Sequence, residues 1–473
     1  MAPAKLFLFA GVALPGLVLA GCATAPDYQR PEVPAAVAFK QVDGWVPAAA
    51  EARPAQQWWQ VFDDPALSAL MPRVASDNPD LASAVARYEQ ALAAVGQARA
   101  PLLPQVDAGA DLSRERLSAA RPLASSSALY TERQVGASLS YELDLFGRIR
   151  NQLRDARARA EASDADTAAL RLGLEAQLAG TYFDMRALDA RLVLLRETVT
   201  AFQRAYQLTD TRHGGGIASG LDVSRAATVL ANARAELDTV AAARARNEHA
   251  IAILIGENPA TFSIPSAQQD VLPPTIPVGL PSTLLRDRPD VIAAERRVAA
   301  ANAGIGAARA ALFPQVTLGA AGGFQAVRGD ILGASSTFWA LGPLSALASV
   351  FDGGARRAAV RSARGRFDEA SATYRATVLN AFREVEDDLA TGRHLANRSV
   401  NLLTAARAAE RTRELALTRY RDGASDYLEV VTAQTAALDA QRALILNRSE
   451  QMRIAVDLVR ALGGLYPAAP PTG

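Results

Sequence analysis

PDLASAVARYEQALAAVGQARAPLLPQV, residues 79–106, decides how this chain is organised, because it returns without a gap as PDVIAAERRVAAANAGIGAARAALFPQV at residues 289–316. Half of the aligned positions, 14 of 28, are identical. An internal repeat of this kind is typical of a duplicated structural unit. We therefore expect two similar units, residues 79–260 and 289–466. The connector between them, 261–288, is rich in proline, which prevents helix formation.

Each unit is expected to begin with a helix and to continue with two strands. In the first unit apolar and polar residues alternate over 105–113 and 134–146, which is the two-residue period of a β-strand. Each strand approaches the ~9–11 residues that cross a bilayer at a tilt. The apolar face would then meet lipid and the acidic face a wet lumen. A half-buried hairpin in a soluble sheet would show the same alternation.

The segment between these strands, 114–133, is polar and is expected to be an external loop. In the second unit the alternation is weaker. It is visible over 316–325, whereas the partner strand at 337–351 is predicted mainly from the repeat. Pro343 lies inside that strand, and a proline removes one hydrogen bond from a β-ladder. We expect a bulge or a sheet edge there.

Two long helices complete each unit. Residues 148–212 contain no proline, and a helix of this length would extend roughly 100 Å at ~1.5 Å per residue. Apolar residues recur there in the a/d pattern of a coiled coil. One row is Leu178, Met185, Leu192, Val199 and Tyr206, and the other is Leu188, Leu195 and Phe202. The return helix is predicted at 221–255, and the second pair at 356–419 and 427–462. A soluble periplasmic coiled coil would explain these helices but not the strands.

The N-terminal region predicts export. Lys5 precedes an apolar run at residues 6–20, which is too short for a membrane-spanning helix and fits a secretory signal peptide at 1–21. The run ends in LAGC at 19–22, and Cys22 is the only cysteine of the chain. This tetrad resembles the bacterial lipobox, which implies a covalent lipid such as palmitate on Cys22. An ordinary signal peptide with a chance cysteine is the alternative. Residues 22–78 would form an extended segment, and 467–473 a flexible tail.

Charge and hydropathy narrow the class of protein. The chain has 50 basic and 49 acidic residues, a balance that argues against a nucleic-acid partner. After the signal peptide no apolar run approaches the length of a transmembrane helix, so entry into a membrane would require strands in a closed barrel. Four strands are fewer than the eight of the smallest such barrel. A barrel would therefore be shared between chains, and a long tube of this kind suits conduction rather than catalysis.

Three motifs resemble the TolC family of outer-membrane efflux proteins, in its OprM/NodT-like lipoprotein branch. They are WWQVFDDPAL at 58–67, LLRDRPDV with AERR within 284–297, and VFDGG at 350–354. The resemblance covers essentially residues 22–465. It implies a mixed α+β membrane protein that is mostly helical. The expected assembly is a homotrimer whose 12-stranded β-barrel, with four strands per chain, continues into a periplasmic helical coiled-coil barrel.

The resemblance also implies the function. We expect an outer-membrane exit duct of a tripartite efflux system that passes small molecules and catalyses no reaction. Its implied partners are a periplasmic adaptor and an inner-membrane RND-type transporter. We expect no cofactor beyond the lipid on Cys22 and no metal, because His213, His249 and His394 lack a second ligand at metal spacing. The alternatives are a periplasm-spanning structural lipoprotein that does not conduct and a type I protein secretion duct.

The family's gate would lie at the two turns between the long helices, 212–217 and 420–427. Asp222 and Glu429 match acidic residues of the family's periplasmic tip, and Tyr420 matches a tyrosine that helps to hold the closed state. Three copies of each acid would surround the pore and favour cations. A helix-capping role is the alternative, since an acid near a helix start stabilises the helix dipole.

Further gate candidates are Asp422 and Asp426. The sequence departs from the family's pattern at Ser425, where some members carry an arginine, and at Thr432, where some carry a second acid. The closing cation is therefore expected to be Arg419 or Arg421. A second acidic run, EVEDD at 384–388, is expected to be a solvated helix face.

Overall fold

A computed structural model describes residues 24–33, 38–42, 45, 57–120, 128–267, 273–276, 278 and 287–464. The predicted signal peptide, Cys22, half of the proline-rich connector and the predicted tail lie outside the described residues. Helices dominate, together with four strands. The helices are α1 (Pro65–Asp77), α2 (Pro79–Arg99), α3 (Arg148–Gly214), α4 (Gly220–Leu254), α5 (Pro289–Ala310), α6 (Ala355–Arg421) and α7 (Tyr427–Ala461). The strands are β1 (Gln105–Leu117), β2 (Ala128–Leu143), β3 (Gln315–Ala326) and β4 (Thr337–Leu347).

The chain divides into two compact units. The sheet unit lies within Met1–Gln29, Ala93–Ala158 and Ala299–Glu369, and the helical unit within Arg30–Leu92, Arg159–Val298 and Ala370–Gly473. Each unit takes segments from both sequence repeats. The repeat boundaries rest on sequence likeness and stay a prediction.

The sheet unit contains one antiparallel sheet with the strand order β1-β2-β3-β4. β1 and β2 are longer at the loop end than expected, because polar residues of the predicted loop continue the ladder, with Arg114 opposite Thr131. The hydroxyl of Tyr130 also donates to Glu115 Oε2 at 3.1 Å. The predicted loop at 114–133 is therefore wrong in its limits, since alternation of polarity does not detect polar cross-strand pairs.

The strands also end earlier than expected at the helix side. β2 stops at Leu143 because Asp144 caps α3, accepting the backbone N–H groups of Ile149 at 3.0 Å and Arg150 at 2.8 Å. β4 stops at Leu347. Asp352 accepts a backbone N–H from residue 356 at 3.1 Å at the start of α6. The predicted strand ends at 146 and 351 are therefore corrected, since both segments are helix caps.

The bulge expected at Pro343 is present. Leu318 pairs with Leu344 and Ala320 with Leu341, so Gly319 alone lies opposite two residues of β4. Such a bulge leaves the ladder locally unpaired, and a proline without an N–H group is tolerated there. β4 is also the last strand in the order, so the expected sheet edge is confirmed for this sheet.

The helical unit is held by the apolar seam predicted from the heptad pattern. Leu178, Met185, Leu192, Leu195 and Phe202 of α3 are all buried. Two of them, at 192 and 195, pack with Val240 of α4, and the seam residue at 188 is partly buried against this cluster. The seam residues at 199 and 206 are partly buried against a second cluster that contains Phe202. Burial of this face stabilises long helices that intrinsic propensity alone would not hold. None of the described helices has a stretch that is both long and apolar enough to cross a membrane.

The WWQVFDDPAL motif is part of this unit's core. Trp58 is buried and donates its indole N–H to Glu175 at 2.9 Å. Asp64 caps α1, accepting the backbone N–H of Leu67 at 3.0 Å, and it also accepts the hydroxyl of Tyr182 at 2.8 Å. The motif is therefore structural, since its polar groups tie the N-terminal segment to α3.

The acidic run at 384–388 is only partly the solvated face that was expected. Arg288 donates to Glu384 at 3.0 Å. Glu386 accepts two backbone N–H groups, from Lys40 at 2.7 Å and Gln41 at 3.1 Å. Asp388 is partly buried, and burial with the nearby Asp457 carboxylate raises its pKa to about 7. Residues of this run that a local sequence pattern assigns to solvent therefore take part in tertiary contacts.

Candidate functional site

The turn between α3 and α4 contains a left-handed glycine and is followed by a capping box. Gly216 has φ +73°, a left-handed conformation that glycine adopts without strain. At the start of α4, Ser219 Oγ accepts the N–H of Asp222 at 3.2 Å, and Asp222 Oδ2 accepts the N–H of Ser219 at 3.4 Å. Asp222 also lies 3.7 Å from the guanidinium of Arg225. Asp222 therefore has the helix-capping role given as the alternative, and its role at a pore stays a prediction.

The second turn follows the same plan. Gly423 has φ +77°, and Asp426 accepts the backbone N–H of Glu429 at 3.1 Å at the start of α7. The Glu429 carboxylate lies 3.6 Å from Nε of Arg419. Asp422 is exposed and has no salt-bridge partner in the described part of the chain. Of the four predicted acids, two are caps, one is ion-paired and one is a solvated charge.

The two turns meet through Tyr420 at the end of α6. Its side chain is buried, and its ring packs edge-on against Tyr427 with centroids 5.7 Å apart. Its hydroxyl lies 3.3 Å from Oγ1 of Thr209 on α3. Tyr420 therefore joins the two helix pairs, and the role in holding a closed state that the resemblance implies for it stays a prediction.

Arg212 completes this junction and was not predicted. Its guanidinium lies 4.5 Å from the centroid of the Tyr420 ring, within cation–π range. It also donates to the carbonyl oxygens of Tyr420 at 3.0 Å and Arg421 at 3.2 Å. These carbonyls end α6, where the helix dipole favours a cation. Arg212 therefore ties the end of α3 to the end of α6.

The predicted cations behave differently from each other. Arg419 pairs with Glu429 and also donates to the carbonyl oxygen of Ala424 at 3.4 Å. The side chain of Arg421 is exposed and, across the described residues, forms no ion pair or hydrogen bond. Its role as a closing cation has no contact in a single chain to support it, and for Arg419 the role stays a prediction.

One tyrosine of the aromatic pair, Tyr427, has a raised pKa. Burial raises the pKa of Tyr427 to about 12, and the neighbouring Tyr420 and the Asp222 carboxylate add to the effect. A tyrosine with such a pKa stays neutral at physiological pH. The junction therefore has an apolar centre, with the acids and arginines around it.

The two departures from the family pattern have distinct local roles. The hydroxyl of Ser425 is buried and lacks a hydrogen-bond partner in the part of the chain that the structure describes. Thr432 donates its hydroxyl to the carbonyl oxygen of Leu428 at 2.8 Å, inside its own helix. Neither side chain supplies a charge to the turn.

Cys22 lies outside the described residues, and the structure begins two residues later at Thr24. The Thr24 hydroxyl lies 2.9 Å from the Gly306 carbonyl oxygen and 3.1 Å from that of Phe146. No group of three or more potential metal ligands occurs among the described residues. His213, one of the dismissed candidates, contacts the carbonyl oxygen of Ala218 at 2.8 Å.

The chain belongs to the outer membrane efflux protein family, whose model matches residues 70–257 and again 280–464. This is a family of transport channels rather than of enzymes.

Two relatives are similar over nearly their whole length. Outer membrane protein OprJ of Pseudomonas aeruginosa is 34% identical over 456 residues, which cover 95% of this chain and 94% of OprJ. The probable efflux pump outer membrane protein TtgC of Pseudomonas putida is 33% identical over 458 residues, covering 96% of this chain and 94% of TtgC.

Solved structures give the same result. The outer-membrane channel OprN superposes with a TM-score of 0.88 at 33% identity, covering 94% of this chain and 99% of OprN. The outer membrane protein VceC of Vibrio cholerae gives a TM-score of 0.80 at 28% identity, covering 87% and 99%. The predicted family, efflux role and outer-membrane location are confirmed. The trimer, the strand count of a barrel, the lipid and the gate stay predictions.

Proposed function

We propose that the protein is the exit duct of a tripartite efflux system, working as a homotrimer. Three chains would contribute four strands each to a 12-stranded barrel, and their long helices would continue it as a periplasmic tunnel. The observation that carries this proposal is the near-complete match to the outer-membrane channel OprN, with 94% of this chain and 99% of that one superposed. The family model's two matches within the chain support the internal duplication.

The names of the relatives support a proposal for the cargo and the partners. OprJ and TtgC are outer-membrane proteins, and TtgC is named for an efflux pump. A relative of 33% identity from Pseudomonas putida is named as a toluene efflux pump component. We infer small-molecule efflux, with a periplasmic adaptor and an RND-type inner-membrane transporter as partners and no reaction catalysed. These names favour efflux over protein secretion and over a structural spacer that does not conduct.

The proposed lipid on Cys22 would tether the duct. Thr24 is held against the carbonyl groups of residues 146 and 306, where β2 meets α3. Only one residue separates Thr24 from Cys22, so a lipid on Cys22 would lie within a few residues of this strand-to-helix junction. A junction of this kind is where a membrane barrel would give way to a periplasmic helix.

The gate is proposed at the two turns that Tyr420 and Arg212 join. Closing would bring Asp222 and Glu429 of three chains around one aperture, where repeated acids favour cations. Both acids lie in the first turn of a helix, beside the glycine turn that precedes it. Movement of the turns would therefore move the acids directly.

Single-channel conductance of the purified trimer in a planar bilayer tests both parts of the proposal. We compare wild type with Asp222→Ala/Glu429→Ala and, as a matched control, with Asp439→Ala, an exposed acid on α7 far along the helix from the turn. A small cation-selective conductance that grows or loses selectivity only in the double variant supports the channel and its gate. An unchanged conductance moves the gate elsewhere, and folded trimer without any conductance contradicts the duct.

A further inference from the structure

The sequence repeats meet at an aromatic contact inside the sheet unit. Phe146, which follows β2, stacks on Phe313, which follows α5, with ring centroids 4.6 Å apart and planes inclined by 11°. Stacked rings at this distance contribute about 0.5–1.5 kcal/mol beyond the area they bury. The first repeat supplies one ring and the second repeat supplies the other. We call this contact the inner joint.

Close packing of α5 completes the inner joint. A Cβ atom at Gly306 would lie 2.5 Å from Cβ of Ala25 and 2.7 Å from Nδ2 of Asn151, so a side chain does not fit there. Asn151 donates to the Thr24 hydroxyl at 3.1 Å, which in turn reaches the carbonyl oxygens on both sides of the joint. Glycine at 306 is therefore required by the approach of neighbouring groups.

Three residues of the inner joint, Phe146, Gly306 and Phe313, each have a counterpart at the equivalent position of the other repeat. In the gapless alignment Gly96 corresponds to Gly306, and Leu103 corresponds to Phe313. Phe351 corresponds to Phe146 at the junction between the second strand and the long helix, although it lies two residues further from the helix start. We call the set Gly96, Leu103, Val350 and Phe351 the outer joint.

The outer joint is not formed within the part of the chain that the structure describes. Phe351 is 91% exposed, Val350 99% and Leu103 66%. A Cβ atom at Gly96 would meet no described atom within 4 Å, so nothing in the described chain explains a glycine at that helix position. Glycine in a helix costs about 1 kcal/mol relative to alanine. The exposed apolar side chains and the uncovered glycine correspond to the groups that meet in the inner joint, but here they do not meet within the described chain.

The two edge strands of the sheet indicate what kind of partner would cover the outer joint. β2 and β3 pair across the inner joint. Their counterparts by repeat are β4 and β1, and each of these is paired on one side only within the described sheet. A second copy of the chain would offer β1 and Leu103 to the β4 and Phe351 of the first. Such pairing would continue the β2–β3 interface from one chain to the next.

We propose that Val350 and Phe351 of one protomer pack on Leu103 and the Gly96 face of α2 of the next protomer. The outer joint then repeats the inner joint at every subunit boundary. This inference rests on the trimer of the proposed function and names the residues that join its subunits. A contact between unlike surfaces of identical chains generates a ring when its rotation closes.

Cysteine cross-linking tests the contact directly. Cys22 is the only native cysteine, so Leu103→Cys/Phe351→Cys introduces a defined pair. Treatment of the full-length protein with a short bis-methanethiosulfonate should give covalent dimers and trimers on a denaturing gel. Either single variant should give none. The matched control Phe146→Cys/Phe313→Cys should link within one chain, without covalent oligomers.

Native mass spectrometry of the same samples separates the possible failures. A trimer in which the 103/351 pair does not link, while the 146/313 pair does, overturns the outer joint and leaves the proposed duct intact. Protein that is folded but only monomeric overturns both the trimer and the joint.

A second variant tests the empty glycine face. Gly96→Leu should leave the chain folded, because leucine is a better helix former than glycine and the described residues leave the position open. It should reduce the trimer fraction by about tenfold or more, since overpacking a formed contact is destabilising. Gly96→Ala should show a smaller loss in the same direction. A Gly96→Leu trimer as resistant to SDS as wild type would contradict the proposal.

Discussion

At the residue scale, one arginine makes several of the contacts between the two helix turns. Arg212 combines a cation–π contact at 4.5 Å with two hydrogen bonds to the carbonyl groups that end α6. Its partners lie 208 and 209 residues away in the sequence. The acids of both turns were visible in the sequence, because caps are local patterns. Arg212 was not, because nothing near it in the sequence indicates a partner so distant.

Arg212→Gln should weaken closure of the proposed gate. The variant loses the cation–π contact and the charge at the end of α6, and a hydrogen bond to a charged group is worth about 1.5–3 kcal/mol. A loss of about 1.4 kcal/mol would raise the open population tenfold. Single-channel recording should show a correspondingly longer open time. Arg421→Gln is the control, since that exposed side chain makes no described contact, and an equal effect of both variants would contradict the prediction.

Asp388 should make stability depend on pH. Burial, and then the charge of Asp457, raises its pKa from 3.8 to about 7, against the opposing effect of Arg460. The folded state thus holds a proton that the unfolded state has released between pH about 4 and 7. Stability should fall as pH rises through this window, and above pH 7 the folded state contains a partly buried charge.

Asp388→Asn cannot ionise and should therefore raise the unfolding midpoint at pH 8 while changing it little at pH 4.5. Circular dichroism during urea unfolding at both pH values measures this difference. Asp387→Asn is the matched control, because its side chain is 62% exposed and pairs with Arg383. If the two variants shift the midpoint equally at pH 8, burial of Asp388 is not the cause.

At the element scale, the helices were predictable and the strand ends were not. The predicted long helices agree with α3, α4, α6 and α7 within two residues at each end, because glycine and proline mark helix limits locally. The strands of the first repeat, β1 and β2, differ from their predicted bounds by several residues. Their ends depend on which polar residues find a partner on the neighbouring strand and on the aspartates at 144 and 352, which cap helices instead.

Two adjacent glycines of β3 should differ sharply in their tolerance of a side chain. A Cβ atom at Gly323 would overlap the carbonyl group of Val135 and the backbone of Gly136 on β2. At Gly322 the nearest atom would be 3.6 Å away, an ordinary contact. Gly323→Ala should therefore push β2 and β3 apart and destabilise the fold by about 1–3 kcal/mol.

Gly322→Ala is the matched control and should stay within about 0.5 kcal/mol of wild type. The temperature at which the oligomer dissociates and the sheet melts, followed by gel mobility and circular dichroism, compares the two. Equal destabilisation by both substitutions would contradict the prediction, since only a side chain at Gly323 overlaps the backbone of β2.

At the scale of the whole molecule, the sequence repeat predicts two equivalent contacts, of which the described part of a single chain forms one. The inner joint forms between the two repeats of the chain, whereas the counterpart residues Leu103 and Phe351 stay exposed. The same holds for the sheet, in which β2 and β3 each have two neighbours and β1 and β4 have one within the described strands. The proposed outer joint would complete this pattern by pairing the unmatched half of each duplicated chain with another copy.

The proposed lipid on Cys22 should be an anchor and not a component of the duct. The contacts of Thr24 with the carbonyl groups of residues 146 and 306 hold the N-terminal segment without any lipid. Exchange of residues 1–22 for a signal peptide that is cleaved without lipidation should abolish palmitate labelling and leave the single-channel conductance unchanged. Acyl chains add membrane affinity, about 0.8 kcal/mol for each buried CH₂, and supply no wall to a pore. Loss of conductance by a folded, unlipidated trimer would show instead that the anchor helps to build the channel.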